Sequence, residues 1–260
     1  MATMVKHATN DGILTITFYE EEVRRPCTLD WDNIAQLENI LETSVTVDVR
    51  AVVLESESPK SFIVGANIAV LQTLDGDNIQ EWVRNGHRVF SKLQKLEVPV
   101  IAKVESYVLG GGLELAMWCD FIIATEDAVF AQPESGLGVM PGWGASYRLM
   151  KIIGANRAKE MLFTGRKISA QQAYEWGLVN HICSRDSINE YISSLIADIA
   201  ANDGRVVKFV KEIINMHSEG DSNIVAFNES TTSLVCMNSA STKKRLSDFF
   251  EARKKVTVQS

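Results

Sequence analysis

Residues 99–125 read "PVIAKVESYVLGGGLELAMWCDFIIAT" and set out the building plan of the chain. Pro99 opens an apolar strand, "PVIAKVESYV". Three glycines, Gly110, Gly111 and Gly112, end it. A short helix is expected over 112–119, and "DFIIAT" returns as a strand. A strand that turns through glycine into a helix and then into a second apolar strand points to α/β architecture with parallel pairing. The glycines admit two readings. One is a tight turn with close helix–strand packing. The other is a site: glycine lets a ligand approach the backbone, and the first N–H groups of a helix are unpartnered and favour negative charge. Such a turn can hold an oxyanion. There is no G-x-G-x-x-G and no G-K-[ST], so neither a dinucleotide fingerprint nor a Walker loop is present. Glu114 falls in the first turn of the expected helix. It can simply complement the helix dipole. Its neighbours Leu113, Leu115, Ala116 and Met117 are apolar, however, and a carboxylate in such a setting can exchange protons near neutrality.

Upstream, "ILTITF" (13–18) alternates like a strand. "DWDNIAQLENILE" (30–42) carries Trp31, Ile34, Leu37 and Leu41 at helical spacing, with Asp30 as N-cap. "RAVVLES" (50–56) and "SFIVGANI" (61–68) read as strands. Gly65 breaks the second, either as an ordinary bulge or as a device that turns the N–H of Ala66 into a cleft. A helix is expected over 78–96, with Ile79, Trp82, Val83, Val89, Phe90 and Leu93 as its apolar positions. Downstream, "AVFAQ" is a short strand, and Glu134 follows it in "FAQPESGLGVMPGWG". That glutamate is either a solvated loop residue or a catalytic group on a loop held by a rigid strand. Tyr147, Leu149, Met150 and Ile153 mark the next helix. Ser169 and Gly177 cap "KISAQQAYEWG", and "VNHICS" is a further strand. Helical patterns dominate from about residue 186, so the expected organisation is a core over 1–190 and a helical region over 191–260.

With 260 residues, 46% of them hydrophobic, the chain can bury a large core. A net charge of −7 argues against nucleic-acid and anionic-membrane partners, while leaving room for a small phosphorylated ligand. Cys27, Cys119, Cys183 and Cys236 form no C-x-x-C pair and read as free thiols of a reducing compartment. The histidines are scattered, and no metal site is expected. "GASYR" (144–148) lacks the closing glycine of a nucleophile elbow. The start shows no signal region, no stretch approaches the ~18 apolar residues of a membrane span, and "TVQS" is not a peroxisomal address. A cytoplasmic protein is expected.

Taken together, "SFIVGANI" (61–68), residues 99–125, "FAQPESGLGVMPGWGASYRL" (130–149), "MLFTGRKISAQQAYEWGLVNHI" (161–182) and "FFEARKK" (249–255) resemble the enoyl-CoA hydratase/isomerase (crotonase) family over residues 12–255. The resemblance implies a crotonase-like spiral of ββα turns with an α-helical C-terminal trimerisation region, and self-association as a trimer or dimer of trimers. It implies an acyl-CoA thioester substrate, coenzyme A being part of the substrate and no cofactor being needed. By position, the backbone N–H groups of Ala66 and Gly111 would form the oxyanion hole, and Glu114 and Glu134 would be the catalytic acids that hold one water. Both acids are present, which favours hydration of a 2-enoyl-CoA. An enoyl-CoA delta-isomerase, or a dehydratase of a specialised acyl-CoA or acyl-carrier-protein substrate, is the alternative. Gly142 matches a glycine whose N–H helps to orient the water. The chain departs from the family pattern at Asn67 and Ala69, at "RRPCTL" (24–29), where Arg24 or Arg25 would supply charge to the carrier, and at Trp143, which would narrow or reshape the acyl pocket. Ile68 and Phe249 complete the expected substrate-binding set.

Overall fold

The computed structural model describes residues 3–22, 25–75 and 77–217, together with Ala240 and Lys244. The chain divides into two compact units, Met1–Ser194 and Leu195–Ser260. The first contains β1 (Met4–Asn10), β2 (Ile13–Tyr19), α1 (Trp31–Thr43), β3 (Ala51–Ser56), β4 (Ser61–Ile63), α2 (Ile68–Leu71), α3 (Ile79–Lys95), β5 (Val100–Val104), β6 (Tyr107–Leu109), α4 (Gly111–Met117), β7 (Phe121–Thr125) and β8 (Val129–Ala131). It continues through α5 (Met150–Ile153), α6 (Ala155–Thr164), β9 (Ile168–Ser169), α7 (Ala170–Glu175) and β10 (His181–Cys183). Helix α8 (Ile188–Ala200) runs across the division, and α9 (Gly204–His217) belongs to the second unit.

The strands form two sheets, ordered β1-β2-β3-β5-β7-β10 and β4-β6-β8-β9. Each of the pairs β3–β4, β5–β6 and β7–β8 gives its first strand to the larger sheet and its second to the smaller. Helical chain follows each pair, which is the spiral of ββα turns. Strands β3, β5 and β7 read as continuous apolar runs because they are paired in parallel and covered on both faces. Leu14, Ile16 and Phe18 of β2, Leu54 of β3, Ile34 and Leu37 of α1, and Val89, Phe90 and Leu93 of α3 join one buried cluster.

Four local expectations need correction. "PVIAKVESYV" is two strands in two sheets, not one: Ser106 takes a left-handed φ of 61° and its Oγ donates to the Lys60 carbonyl at 2.8 Å. "SFIVGANI" is a strand only to Ile63, after which Asn67 caps α2. Strand β1 is an addition. It is largely exposed, so its sequence carries no burial alternation, but Asp11 and Gly12 (φ 50° and 75°) form the two-residue hairpin turn that pairs it with β2. Among the described residues, pairing is parallel except at β1–β2 and β8–β9. The expected caps are present: Asp30 accepts from the Asn33 N–H at 2.9 Å and Ser169 from the Gln172 N–H at 3.2 Å.

Candidate active site

The site is assembled where the second strand of each turn ends. After β4, the chain crosses Leu29: the Leu29 N–H donates to the Gly65 carbonyl at 2.8 Å, and the Asn67 N–H donates to the Leu29 carbonyl at 2.7 Å. Successive N–H groups of an extended segment point in opposite directions. The N–H of Ala66 therefore faces away from Leu29, toward the cleft. After β6, Gly110 adopts φ 52° and gives its N–H to the Ala131 carbonyl at 2.9 Å, so that Gly111 begins α4 with an N–H that has no intrahelical acceptor. The two segments are neighbours, for a methyl group on Gly65 would lie 3.6 Å from the Gly111 nitrogen. Gly112 seats α4 directly on β4: a methyl group there would meet the Ile63 carbonyl oxygen at 2.1 Å.

Helix α4 carries Glu114 into the interior, where it is only 2% exposed. Its Oε1 accepts from the Trp143 N–H at 2.7 Å and the Ala145 N–H at 2.9 Å. Ala145 starts a single π-helical turn, Ala145–Leu149, and such turns recur at functional sites. Burial pushes the Glu114 carboxyl above the usual range, against the backbone N–H groups of residues 142–145, which favour its charged form. Glu134 heads the 3₁₀ turn Glu134–Leu137 that follows β8. Burial pushes it up to about 7, opposed by its own backbone N–H, with the Glu114 charge adding to the rise. Gln132 is fully buried, and with its amide nitrogen toward Glu134 it donates to both carboxylate oxygens at 3.0 Å. Two carboxyls near one another with raised pKa values are suited to holding one proton between them.

Ala66, Ile68, Gly111, Glu114, Glu134, Gly142 and Trp143 line one cleft. Asn67 is not among the lining residues: its Oδ1 is taken up by the Ala69 N–H at 3.0 Å. Arg25 is likewise outside the lining and pairs with Glu22 at 2.5 Å. Arg24 and Phe249 lie outside the described residues. Sequence reasoning missed Gln132, and it read Ile79, Trp82 and Val83 only as apolar positions of α3, whereas all three reach the cleft. Among the described residues no cluster of His, Cys, Asp and Glu could hold a metal ion, and no helix is long and apolar enough to cross a membrane.

A sequence model of the enoyl-CoA hydratase/isomerase family matches residues 8–259. The chain belongs to this family. It is 34% identical over 227 residues to the short-chain-enoyl-CoA hydratase of Clostridium acetobutylicum, covering 87% of each chain. It is 33% identical over 228 residues to the crotonyl-CoA hydratase of Syntrophomonas wolfei, again covering 87% of each. Among solved structures, an enoyl-CoA hydratase from Bacillus anthracis superimposes with a TM-score of 0.87 at 29% identity, covering 97% of both chains. The fold is thus that of the family, and the cleft of Ala66, Gly111, Glu114 and Glu134 is its candidate active site.

Proposed function

We propose that this enzyme adds water reversibly to a 2-enoyl-CoA thioester to give a 3-hydroxyacyl-CoA. The thioester carbonyl oxygen sits between the N–H groups of Ala66 and Gly111. Glu114, as carboxylate, takes a proton from a water molecule while the water oxygen bonds to the β-carbon. The carbon–carbon π electrons move onto the thioester oxygen, and the two N–H donors stabilise the resulting enolate. Glu134 then gives its proton to the α-carbon, the carbonyl re-forms, and proton exchange with solvent returns the acids to their starting forms. Dehydration runs the same steps backwards. No cofactor is required, because coenzyme A enters with the substrate. The enzyme is a cytoplasmic trimer or dimer of trimers on this reading.

The observation that carries the proposal is the unequal setting of the two acids. Backbone N–H groups of Trp143 and Ala145 hold one oxygen of Glu114 and oppose the rise that burial imposes on its carboxyl. Glu134, pushed up to about 7, retains a proton to give at neutral pH. The test is hydration of crotonyl-CoA, read as loss of the enoyl absorbance. Glu114→Gln and Glu134→Gln should each lower turnover about 10²–10⁴-fold. Near-normal turnover in either variant rules out the two-acid mechanism. Efficient shift of the double bond in a 3-enoyl thioester that needs Glu134 but not Glu114 would assign isomerisation instead.

A further inference from the structure

We infer that Trp143 is the wall that ends the acyl pocket, so that the enzyme is built for short-chain 2-enoyl thioesters. The inference rests on the hydratase reading of the cleft. The backbone N–H of Trp143 is bound to Glu114, which fixes its α-carbon beside the reacting centre. Its side chain then fills the space between α3 and α4. A methyl group on Gly111 would stand 2.5 Å from Cζ3 of the indole, and one on Gly86 would stand 2.2 Å from Nε1. The ring therefore lies against both backbones with no gap for a chain to pass. Gly86 sits inside α3, where glycine weakens a helix. Contact with the indole gives that glycine its reason.

The indole is also held from behind. Its centroid is 4.9 Å from that of Trp82 and 5.3 Å from that of Phe90, and its Nε1 approaches the Trp82 carbonyl at 3.4 Å. The Trp143 carbonyl accepts from Trp118 Nε1 at 2.8 Å. The residue is 3% exposed, yet it lines the cleft. A side chain fastened on this many sides does not swing aside for a longer substrate. Ile68, Leu137 and Met140 also line the cleft and are 57%, 61% and 71% exposed. An acyl chain that runs from a carbonyl at Gly111 toward the indole can extend only as far as the ring allows.

The experiment compares kcat/KM for crotonyl-, 2-hexenoyl- and 2-decenoyl-CoA in the parent, Trp143→Phe and Trp143→Ala. Calorimetric affinities for butyryl- and decanoyl-CoA, which need no turnover, accompany it. In the parent, kcat/KM should fall about tenfold or more from the crotonyl to the decenoyl substrate, the range expected when methylenes do not fit a pocket. Trp143→Ala should raise the decenoyl-to-crotonyl ratio by about tenfold or more, with Trp143→Phe between. A parent that hydrates both ends of the series equally well, or a ratio unchanged in both variants, overturns the inference. If Trp143→Ala does not fold, the parent profile and Trp143→Phe decide. If no 2-enoyl thioester is hydrated but butyryl-CoA still binds more tightly than decanoyl-CoA in the parent alone, the hydratase reading falls and the wall stands.

Discussion

At the scale of single residues, Glu134 carries a stability consequence beside the catalytic role proposed for it. Glu134 has an ordinary value of 4.5 and is pushed up to about 7 in the fold, mainly by burial. Below pH 4.5 the carboxyl is protonated whether the chain is folded or not, and the burial is not penalised. Between 4.5 and 7 the unfolded chain has lost its proton while the folded one keeps it, so stability falls as pH rises, and above about 7 the loss is complete. Glu134→Gln removes this term. Its melting temperature should match the parent's below pH 4.5 and rise above it through the window to about 7. A difference independent of pH, measured by calorimetry across this range, would refute the assignment. Glu114 and Glu134 stood out as candidates because one acid lies among apolar residues and the other after a strand and a proline, but local sequence left each a plain structural reading, and their pairing came with the family resemblance. Gln132 did not stand out: a buried amide is recognised by its partner, and the partner is two residues away across Pro133 in a turn whose geometry no periodicity reports.

At the scale of elements, the proposed active geometry depends on how closely α4 rests on β4. The N–H of Gly111 and the carboxyl of Glu114 both ride on α4, and Ala66 follows from β4. Gly112 lets the two backbones meet, and a methyl group there would lie 2.1 Å from the Ile63 carbonyl oxygen, where a rigid backbone atom must shift. Gly112→Ala should cost about 1–3 kcal/mol of stability and lower kcat strongly, because the donors of the oxyanion site move apart. Urea unfolding together with turnover checks both. A variant with parental kcat would mean that α4 has room to adjust. The helix itself, its opening by glycine and the following strand could all be read from the chain. The break between β5 and β6 could not, since Ser106 is not a residue that announces a positive φ. The hairpin that adds β1 could have been read from Asp11–Gly12, but the exposed strand beside it gave the pattern nothing to support it.

At the scale of the molecule, apolar runs separated by helices implied parallel pairing, and the larger sheet is parallel from β2 to β10. That the strands deal alternately into two sheets was not contained in the runs themselves. It depends on turns between paired strands and came only with the family resemblance. The expected helical association region has one described physical trait that bears on self-association. In α9, Val206, Val210 and Ile214 recur every fourth residue, so they lie on one helix face, and they are 37%, 50% and 63% exposed. Fully burying a side chain of this kind is worth about 1.5–3 kcal/mol, and a continuous row of them on the surface is the pattern of a face that meets another chain. On the proposed trimer or dimer of trimers, which comes from the family resemblance, the parent should scatter light at three or six times its 28.8 kDa chain mass. Val210→Asp combined with Ile214→Asp should lower that mass, because an unpaired charge is expelled from an apolar interface. A parent that runs as a single chain, or a doubly charged variant that keeps the parental mass, would show that α9 does not hold the assembly together.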